Sequence, residues 1–248
     1  TQVTVTVKPD GGYELSSLTV TGTAGEVELT KVSDTQYTFK MPGCAVTVTA
    51  VFQLQGEGGE PVTDVPFRDV SEDDWYFEAV KYVYANDMMN GTGKDLFMPS
   101  YGLSRAMLAQ VLFNLEGNIP VNYLLPFTDV AQGLWYSEAV RWAAAEKIVT
   151  GYGNGTFGPE DTITREQMAV ILYRYAQYKG YDTTQGGMAV REFADYGQIS
   201  DWALEAMTWA VNAGVLSGKD GGVLDPQGIT TRAEVAQILM NFSNAFVK

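Results

Sequence analysis

Hydrophobic and polar residues alternate along the first fifth of the chain. Val3, Val5 and Val7 alternate with threonines, and residues 46–52 repeat the alternation. A period of two, carried by β-branched residues, is typical of half-buried strands. Clusters of Gly, Pro, Ser and Asp separate the alternating stretches and predict turns between about five short strands. Residues 1–53 are therefore predicted to form a small all-β module.

Apolar residues follow helical spacing in the rest of the chain. Counting from Arg105, Arg165 and Arg232, the residues at offsets 3, 6, 7 and 10 are apolar every time. These residues are Leu108, Val111, Leu112 and Leu115, then Met168, Ile171, Leu172 and Tyr175, then Val235, Ile238, Leu239 and Phe242. Such a stripe occupies one face of a helix. A two-helix unit cannot bury it alone, so three units are expected to pack around a shared axis.

The same landmarks occur three times in the same order. Each unit begins with Phe-x-Asp, continues with a tryptophan, a first helix and a glycine turn, and ends on the striped helix. The aspartates are Asp69, Asp129 and Asp195, the tryptophans Trp75, Trp135 and Trp202, and the glycines Gly91, Gly151 and Gly218. Three internal copies of one helix-turn-helix unit are therefore predicted.

Together these patterns predict a small all-β module followed by an all-α pseudo-threefold domain of three helix-turn-helix repeats. The expected boundaries are 1–53 for the module, 54–66 for a Gly/Pro-rich linker and 67–248 for the repeats, which run over about 67–119, 127–180 and 193–248. The linker composition is typical of a flexible connection.

The residues before each stripe carry a family resemblance. Ser104-Arg105-Ala106, Thr164-Arg165-Glu166 and Thr231-Arg232-Ala233-Glu234 resemble the Thr-Arg-Ala-Glu signature of S-layer homology repeats. The resemblance covers 67–248 and implies a secreted, non-catalytic anchoring domain at the bacterial cell wall or S-layer. Such domains bind anionic, often pyruvylated, secondary cell-wall polysaccharide in grooves between repeats.

The N-terminal module has a resemblance of its own. Gly12-Tyr13-Glu14-Leu15, Tyr37-Thr38-Phe39 and Met41-Pro42 resemble the divergent β-repeat modules of Gram-positive surface proteins. That resemblance implies a spacer or stalk.

Composition excludes several other classes of function. The chain has no histidine, one cysteine and a formal net charge of −14. Without histidine it lacks Ser-His and Cys-His nucleophile pairs and the commonest zinc ligand, so no catalytic residue, metal or cofactor is predicted. The acidic balance disfavours nucleic acid as a partner. No apolar run reaches the roughly 18 residues of a membrane span. The chain starts within a strand-like pattern, so a mature or excised piece is expected.

The three arginines are the first candidates for ligand contacts. Each is expected at the first position of a helix, where the dipole disfavours a cation, so their recurrence indicates a function. One interpretation is that the guanidinium fork binds a carboxylate of an acidic wall glycan. The other is a salt bridge to Asp69, Asp129, Asp195 or another carboxylate. If the arginines bind a carboxylate of the glycan, Arg165→Ala or Arg232→Ala is expected to weaken wall binding without unfolding the domain. The grooves that involve these two arginines are expected to bind better than the remaining one.

The remaining candidates each have a structural alternative. Trp75, Trp135 and Trp202 are candidates for stacking on sugar rings, although tryptophan at helix spacing more commonly lies in a core. The aspartates are candidates for bonding hydroxyls, with turn formation as the default. Gly151 and Gly218 are candidates for close approach of a sugar, against a turn that needs positive φ. The Ser/Thr residues before each arginine, with Gln167 and Glu234, predict helix caps.

A second function remains open at this point. The repeats of a structural or adhesive S-layer protein bind neighbouring surface-protein subunits rather than a polysaccharide. Binding to walls that have been stripped of secondary polymer distinguishes the two.

Overall fold

The computed structural model describes residues 2–8, 13–23, 25–33, 35–54, 65–93 and 95–247. The chain forms two compact units, residues 1–61 and 62–248. Most of the predicted linker lies outside the described residues, and the predicted domain boundaries stay predictions.

The first unit contains two small antiparallel sheets. Its strands are β1 (Gln2–Thr6), β2 (Tyr13–Gly22), β3 (Gly25–Glu26), β4 (Leu29–Lys31), β5 (Gln36–Lys40) and β6 (Val46–Leu54). The strand orders are β1-β5-β4 and β3-β2-β6. Val3 lies opposite Phe39 across β1 and β5, and Val7, Val20 and Phe39 are buried. The alternation of the sequence therefore directs one set of side chains inward, as expected for strands.

The second unit contains six α-helices among its described residues. They are α1 (Phe77–Ala85), α2 (Arg105–Leu115), α3 (Ser137–Ala145), α4 (Arg165–Tyr178), α5 (Leu204–Asn212) and α6 (Arg232–Phe246). Two short 3-10 helices, Ala189–Glu192 and Tyr196–Gln198, precede α5.

The predicted helix caps are confirmed. The hydroxyls of Ser104, Thr164 and Thr231 accept from the backbone amide three residues on. Gln167 and Glu234 return the bond to the cap amide in α4 and α6, which completes two capping boxes. In this way each striped helix begins at its arginine because a side chain satisfies its first free amides.

The apolar stripes of α2, α4 and α6 form the core of the second unit. All of the predicted stripe residues are buried except Leu115, which is half-buried. Pairing of helices crosses the repeats, since α1 packs on α6, α2 on α3 and α4 on α5. Each repeat therefore completes its core with a helix from another repeat.

The predicted fold class, an all-β module followed by an all-α domain, is wrong, although the N-terminal strands fit a β module. The chain combines two small antiparallel sheets with six helices, and short β-bridges link the repeats, as between Gly102 and Thr231 and between Ser104 and Thr162. A helical pattern cannot show these bridges, because they lie in the segments just before the caps. A cap residue adopts extended dihedrals, which lets these segments bond one another.

The centre of the second unit is a closed ring of main-chain hydrogen bonds. The amide of Leu103 donates to the carbonyl of Thr230 at 3.1 Å, Thr230 to Ile163 at 3.0 Å, and Ile163 to Leu103 at 2.9 Å. All three side chains are buried. Leu and Ile fill this position in two repeats, and Thr fills it in the third.

Thr230 places an unpaired hydroxyl in this apolar centre. Its Oγ1 is buried and has no hydrogen-bond partner among the described residues. Because an unsatisfied buried hydroxyl costs free energy, we expect Thr230→Val to raise the free energy of unfolding by about 1 kcal/mol. Urea unfolding of the full chain measures it, with Thr162→Val at an exposed position as the control. A loss of stability in Thr230→Val would contradict the unpaired hydroxyl.

Candidate ligand-binding grooves

The three repeated aspartates hold the turn that follows the glycine of their own repeat. Each carboxylate accepts from two consecutive backbone amides. Asp69 accepts from Phe97 and Met98, Asp129 from Phe157 and Gly158, and Asp195 from Leu224 and Asp225, all at 2.7–2.8 Å. These bonds confirm turn formation, the default interpretation. Each carboxylate oxygen keeps a second lone pair, so contact of the aspartates with a sugar hydroxyl stays a prediction.

At Asp129 these amides also affect the charge of the carboxylate. Burial alone would raise the pKa of Asp129, but the amides of Phe157 and Gly158 and the nearby Arg105 lower it below its ordinary value. A hydrogen-bonded carboxylate in this setting stays ionised. The turn is thus fixed around a permanent negative charge.

The repeated glycines allow the opening phenylalanine to pack against the turn. A Cβ on Gly91 would lie 2.7 Å from Cε1 of Phe67, and one on Gly151 would lie 2.7 Å from Cε1 of Phe127. The same contact occurs between Gly218 and Phe193. The predicted turn with positive φ does occur in the loop after Gly151, at Gly153 and Gly155, but Gly91, Gly151 and Gly218 themselves have no positive φ. Close packing explains the glycine instead.

The three arginines join each repeat to the next. Each is buried, at 3–6% exposure, and donates from Nε and Nη2 to two main-chain carbonyls of another repeat. Arg105 donates to Phe157 and Thr150 at 2.9 Å, Arg165 to Leu224 and Ser217 at 2.7 Å, and Arg232 to Phe97 and Asn90 at 2.7 Å. The bonds run from the first repeat to the second, from the second to the third, and from the third back to the first.

Backbone amides reinforce each of these junctions. The amide of Arg165 donates to the carbonyl of Gly228 at 3.0 Å, and the next amide, of Glu166, donates to Pro226 at 2.9 Å. Equivalent pairs occur at Arg105 and Arg232. The free amides at the start of each striped helix are therefore satisfied by the turn of the neighbouring repeat, which fixes the helix against it.

The main contacts of the three arginines are carbonyls rather than the repeated aspartates. The alternative of a salt bridge to another carboxylate does occur, at Arg165. The two carbonyl bonds of each arginine use the edge formed by Nε and Nη2, which leaves both N–H groups of Nη1 and one of Nη2 for other partners. In Arg165, Nη1 lies 3.8 Å from Oε1 of Glu234. Contact between the arginines and a ligand stays a prediction, and it rests on these remaining donors.

Burial and neighbouring charge act in opposite directions on these cations. Burial lowers the pKa of Arg105, Arg165 and Arg232 below the ordinary value of an arginine. Nearby carboxylates, including the aspartate of the turn, raise it again. An arginine in this situation remains protonated, because its pKa begins so high.

The three tryptophans are exposed, so the core interpretation is wrong for them. Trp75 is 65% exposed, and Trp135 and Trp202 are each 58% exposed. Each lies in the turn just before a first helix rather than within it. The ring of Trp75 meets that of Tyr76 edge-on, and Trp135 meets Tyr136 in the same way. This neighbour holds the indole while its face stays open to solvent.

A large groove lies beside Arg165 and is called the Arg165 groove here. Its volume is about 930 Å³, and it takes Arg165 from the second repeat, Gly218 and Lys219 from the third and Trp75 from the first. Asp195, Asp220, Asp225 and Glu234 also line it. Nζ of Lys219 lies 2.8 Å from Oδ2 of Asp225 and 3.0 Å from Oε1 of Glu234. Carboxylates outnumber cations in this groove.

A smaller groove, the Arg105 groove, has the same plan with different charge. Its volume is about 200 Å³, and it takes Arg105 from the first repeat, Gly151, Tyr152 and Arg174 from the second and Trp202 from the third. Nη1 of Arg174 donates to the hydroxyl of Thr150 at 3.3 Å. None of the residues described as lining this groove is an Asp or Glu.

The structure therefore brings the predicted residues together in an order that the sequence does not show. An arginine, a glycine turn and a tryptophan meet in each of the two grooves, and each comes from a different repeat. Sequence reasoning missed Lys219, Arg174 and Tyr152. These residues lie where the repeats differ. A comparison of the repeats directly after the glycine would have found Tyr152 and Lys219, and a comparison nine residues after the arginine would have found Arg174.

Two further features concern metals and membranes. Within the described ranges, no group of three or more Cys, Asp or Glu side chains is arranged to hold a metal ion. None of the helices described is long and apolar enough to cross a lipid bilayer.

Comparison with known families matches both units. The S-layer homology domain matches residues 66–107, 126–169 and 192–236, and the divergent InlB B-repeat domain matches residues 1–56. An S-layer protein, sap, of Bacillus anthracis is 32% identical over 187 residues, which cover 73% of this chain and 21% of the relative. Another S-layer protein, of Bacillus thuringiensis subsp. finitimus, is 31% identical over 187 residues, with the same shares of both chains.

An enzyme is among the relatives as well. The exoglucanase XynX of Acetivibrio thermocellus is 31% identical over 176 residues, which cover 71% of this chain but 16% of the relative. The chain thus spans about a fifth or less of the length of these relatives.

Proposed function

The chain belongs to the S-layer homology domain family, and on this premise we propose that its three repeats attach a surface protein by binding an anionic wall polysaccharide in the Arg105 and Arg165 grooves. The family and the S-layer relatives indicate a secreted protein of the cell surface that is anchored to the cell wall. The polysaccharide and the grooves are the proposed part.

One observation supports the grooves most strongly. In both, an exposed indole, a glycine turn and a cation from three different repeats face one space. An indole offers a flat apolar face for a sugar ring, and its neighbours offer donors and acceptors for hydroxyls. No core requirement keeps Trp75 or Trp202 aromatic, because more than half of each side chain is in solvent.

The arginines serve this proposed site mainly by building it. Their bonds to neighbouring carbonyls fix the glycine turn at one wall of each groove. A groove assembled from three repeats exists only when the ring of repeats is closed. A ligand that binds it would stabilise the closed ring by mass action.

Two grooves on one chain suit a repeating polymer. Once one groove is occupied, the next sugar units are held near the other at high effective concentration. When one chain of polymer reaches both sites, the apparent affinity exceeds that of a single site by about 10² to 10⁴, even if each site is weak.

We propose attachment rather than catalysis as the contribution of this chain. The similarity to the exoglucanase covers 16% of that enzyme and falls on a stretch whose counterpart occurs in S-layer proteins. Incubation of the chain with purified wall glycan should release no reducing sugar. Any enzyme joined to this chain in a longer protein would be attached to the wall by it.

The exposed tryptophans give the direct test. We expect Trp75→Ala and Trp202→Ala each to weaken binding to purified wall sacculi about tenfold, and the double variant about a hundredfold, through lost stacking and lost avidity. The midpoint of thermal unfolding should stay within about 2 °C, since these side chains are exposed. Leu124→Ala, at an 89% exposed position outside both grooves, is the matched control.

The same pull-down separates the competing function. Full binding by the double tryptophan variant would end the groove proposal. Unchanged binding to sacculi stripped of secondary polymer would favour contacts with neighbouring surface-protein subunits.

A further inference from the structure

The two grooves share one plan but carry opposite charge. Arg165 and Lys219 face four carboxylates in the Arg165 groove, and Lys219 is already paired with Asp225 and Glu234. In the Arg105 groove, Arg105 and Arg174 are the charged residues of the lining. Asp161 lies beside that groove, where it accepts a hydrogen bond from the hydroxyl of Tyr152 at 2.9 Å.

The difference comes from substitutions between the second and third repeats at equivalent places. Asp220 and Asp225 of the third repeat stand where the second repeat has Gly153 and Gly158. Two residues after the arginine that opens its striped helix, α4 has Gln167 where α6 has Glu234. Directly after the glycine, the turns have Tyr152 and Lys219. Nine residues after the opening arginine, α4 has Arg174, whereas α2 and α6 have Asn114 and Asn241. Arg174 is thus a cation that one repeat alone supplies at this position.

Arg174 is also free to act on a ligand. Its side chain is half-buried at the groove wall, and among the described residues its hydrogen bond is the one from Nη1 to the hydroxyl of Thr150, at 3.3 Å. Arg105, in contrast, has two of its three nitrogens bonded to carbonyls. Of the two cations in this groove, Arg174 therefore has more donors to offer an anion.

We propose that Arg174 makes the Arg105 groove the anion-selective one, which takes a sugar bearing a carboxylate or phosphate, while the Arg165 groove takes an uncharged or amine-bearing sugar. This inference rests on the proposed function and assigns different units of the polymer to its two sites. It reverses the sequence expectation that the Arg165 groove is the better one for an acidic sugar. Asp129 and Asp161 lie near Arg105, but the lining residues of this groove include no Asp or Glu. A guanidinium in such a lining gains a charge-assisted hydrogen bond with less repulsion of an anion than in the Arg165 groove.

The tryptophans allow each groove to be observed separately. In the full chain labelled with 5-fluorotryptophan, the ¹⁹F signal of Trp202 reports the Arg105 groove and that of Trp75 the Arg165 groove. Trp→Phe variants assign the signals. The probes are a methyl hexoside with a 4,6-O-carboxyethylidene group, the methyl ester of the same compound, and a methyl hexoside 6-phosphate. The ester has the shape of the acid without its charge.

We expect the acid to titrate the Trp202 signal with a Kd about tenfold lower than the ester. Arg174→Asn, which installs the residue of the other two repeats, should bring acid and ester within about twofold, and Arg174→Lys should retain most of the preference. The Trp75 signal should show no preference for the acid. A preference confined to the phosphate probe would identify phosphate as the anion and still support the role of Arg174.

Three results would overturn the inference. They are an unchanged preference in a folded Arg174→Asn variant, the same preference at Trp75, and no response of Trp202 to any probe. If these appear while the wild-type chain still binds sacculi, groove selectivity fails and attachment stands. If the wild-type chain fails to bind sacculi, both are rejected.

Discussion

Arg165→Ala is expected to lower the free energy of unfolding by about 4 kcal/mol. The guanidinium is 3% exposed and satisfies the carbonyls of Leu224 and Ser217. Its removal leaves both carbonyls without a donor, at about 1–3 kcal/mol each, in addition to a cavity. For a unit of this size the thermal midpoint should fall by roughly 10 °C. Calorimetry or urea unfolding of the full chain measures the effect.

The matched controls separate charge from position. Arg68→Ala removes an exposed arginine and should stay within about 0.5 kcal/mol of wild type. Arg165→Lys keeps the charge but cannot donate in the same fork, so it should lie between the two. If Arg165→Ala were as stable as Arg68→Ala, the arginine would not join the repeats. From the sequence alone, Arg165→Ala is expected to leave folding unchanged. The buried contacts of Arg165 replace that expectation with a loss of stability.

Local features of the fold were predictable because they depend on neighbours in the sequence. The stripe of α4 and the capping box of Thr164 and Gln167 need only helical spacing and a backbone amide. The glycine landmarks were also visible, although their cause was not. A single sequence cannot show that Phe127 presses on Gly151, because the two residues are brought together only by folding.

The candidate site depends on partners that are distant in the sequence. Arg232 bonds Phe97 and Asn90, which lie more than 130 residues before it. The recurrence of the arginines in the sequence indicates that they have a role. It does not show that their hydrogen-bond partners are main-chain carbonyls. Trp75 was likewise misjudged, because it lies two residues before α1, where helical periodicity says nothing about burial.

The residues that build these grooves are also those through which we propose that they bind. The turn at Gly151 forms one wall of the Arg105 groove, packs on the opening phenylalanine and supplies the carbonyl of Thr150 that Arg105 bonds. The grooves can therefore differ at positions whose side chains do not take part in these turn and inter-repeat contacts. Arg174 and Lys219 are at such positions, so the charge of a groove can vary while its backbone arrangement is kept.

Gly151→Ala is expected to have the second largest effect and to lower the free energy of unfolding by about 3 kcal/mol. The new Cβ would overlap the carbonyl oxygen of Thr156 and lie 2.7 Å from the ring of Phe127. A main-chain oxygen cannot rotate away as a flexible side chain would, so the turn must shift and the core contact must loosen. Because the turn also carries the Thr150 carbonyl, the shift should weaken the bond from Arg105. Urea unfolding gives the loss of stability, and the ¹⁹F signal of Trp202 reports the disturbed groove.

Gly197→Ala is the matched control, since a Cβ there meets nothing within 4 Å and its φ is negative. It should be as stable as wild type or slightly more stable, because alanine restricts the unfolded chain. A Gly151→Ala variant that matched this control would mean that the turn has room for a side chain. The repeated glycine would then need another reason, and direct approach of a sugar to the backbone would become the stronger explanation for it.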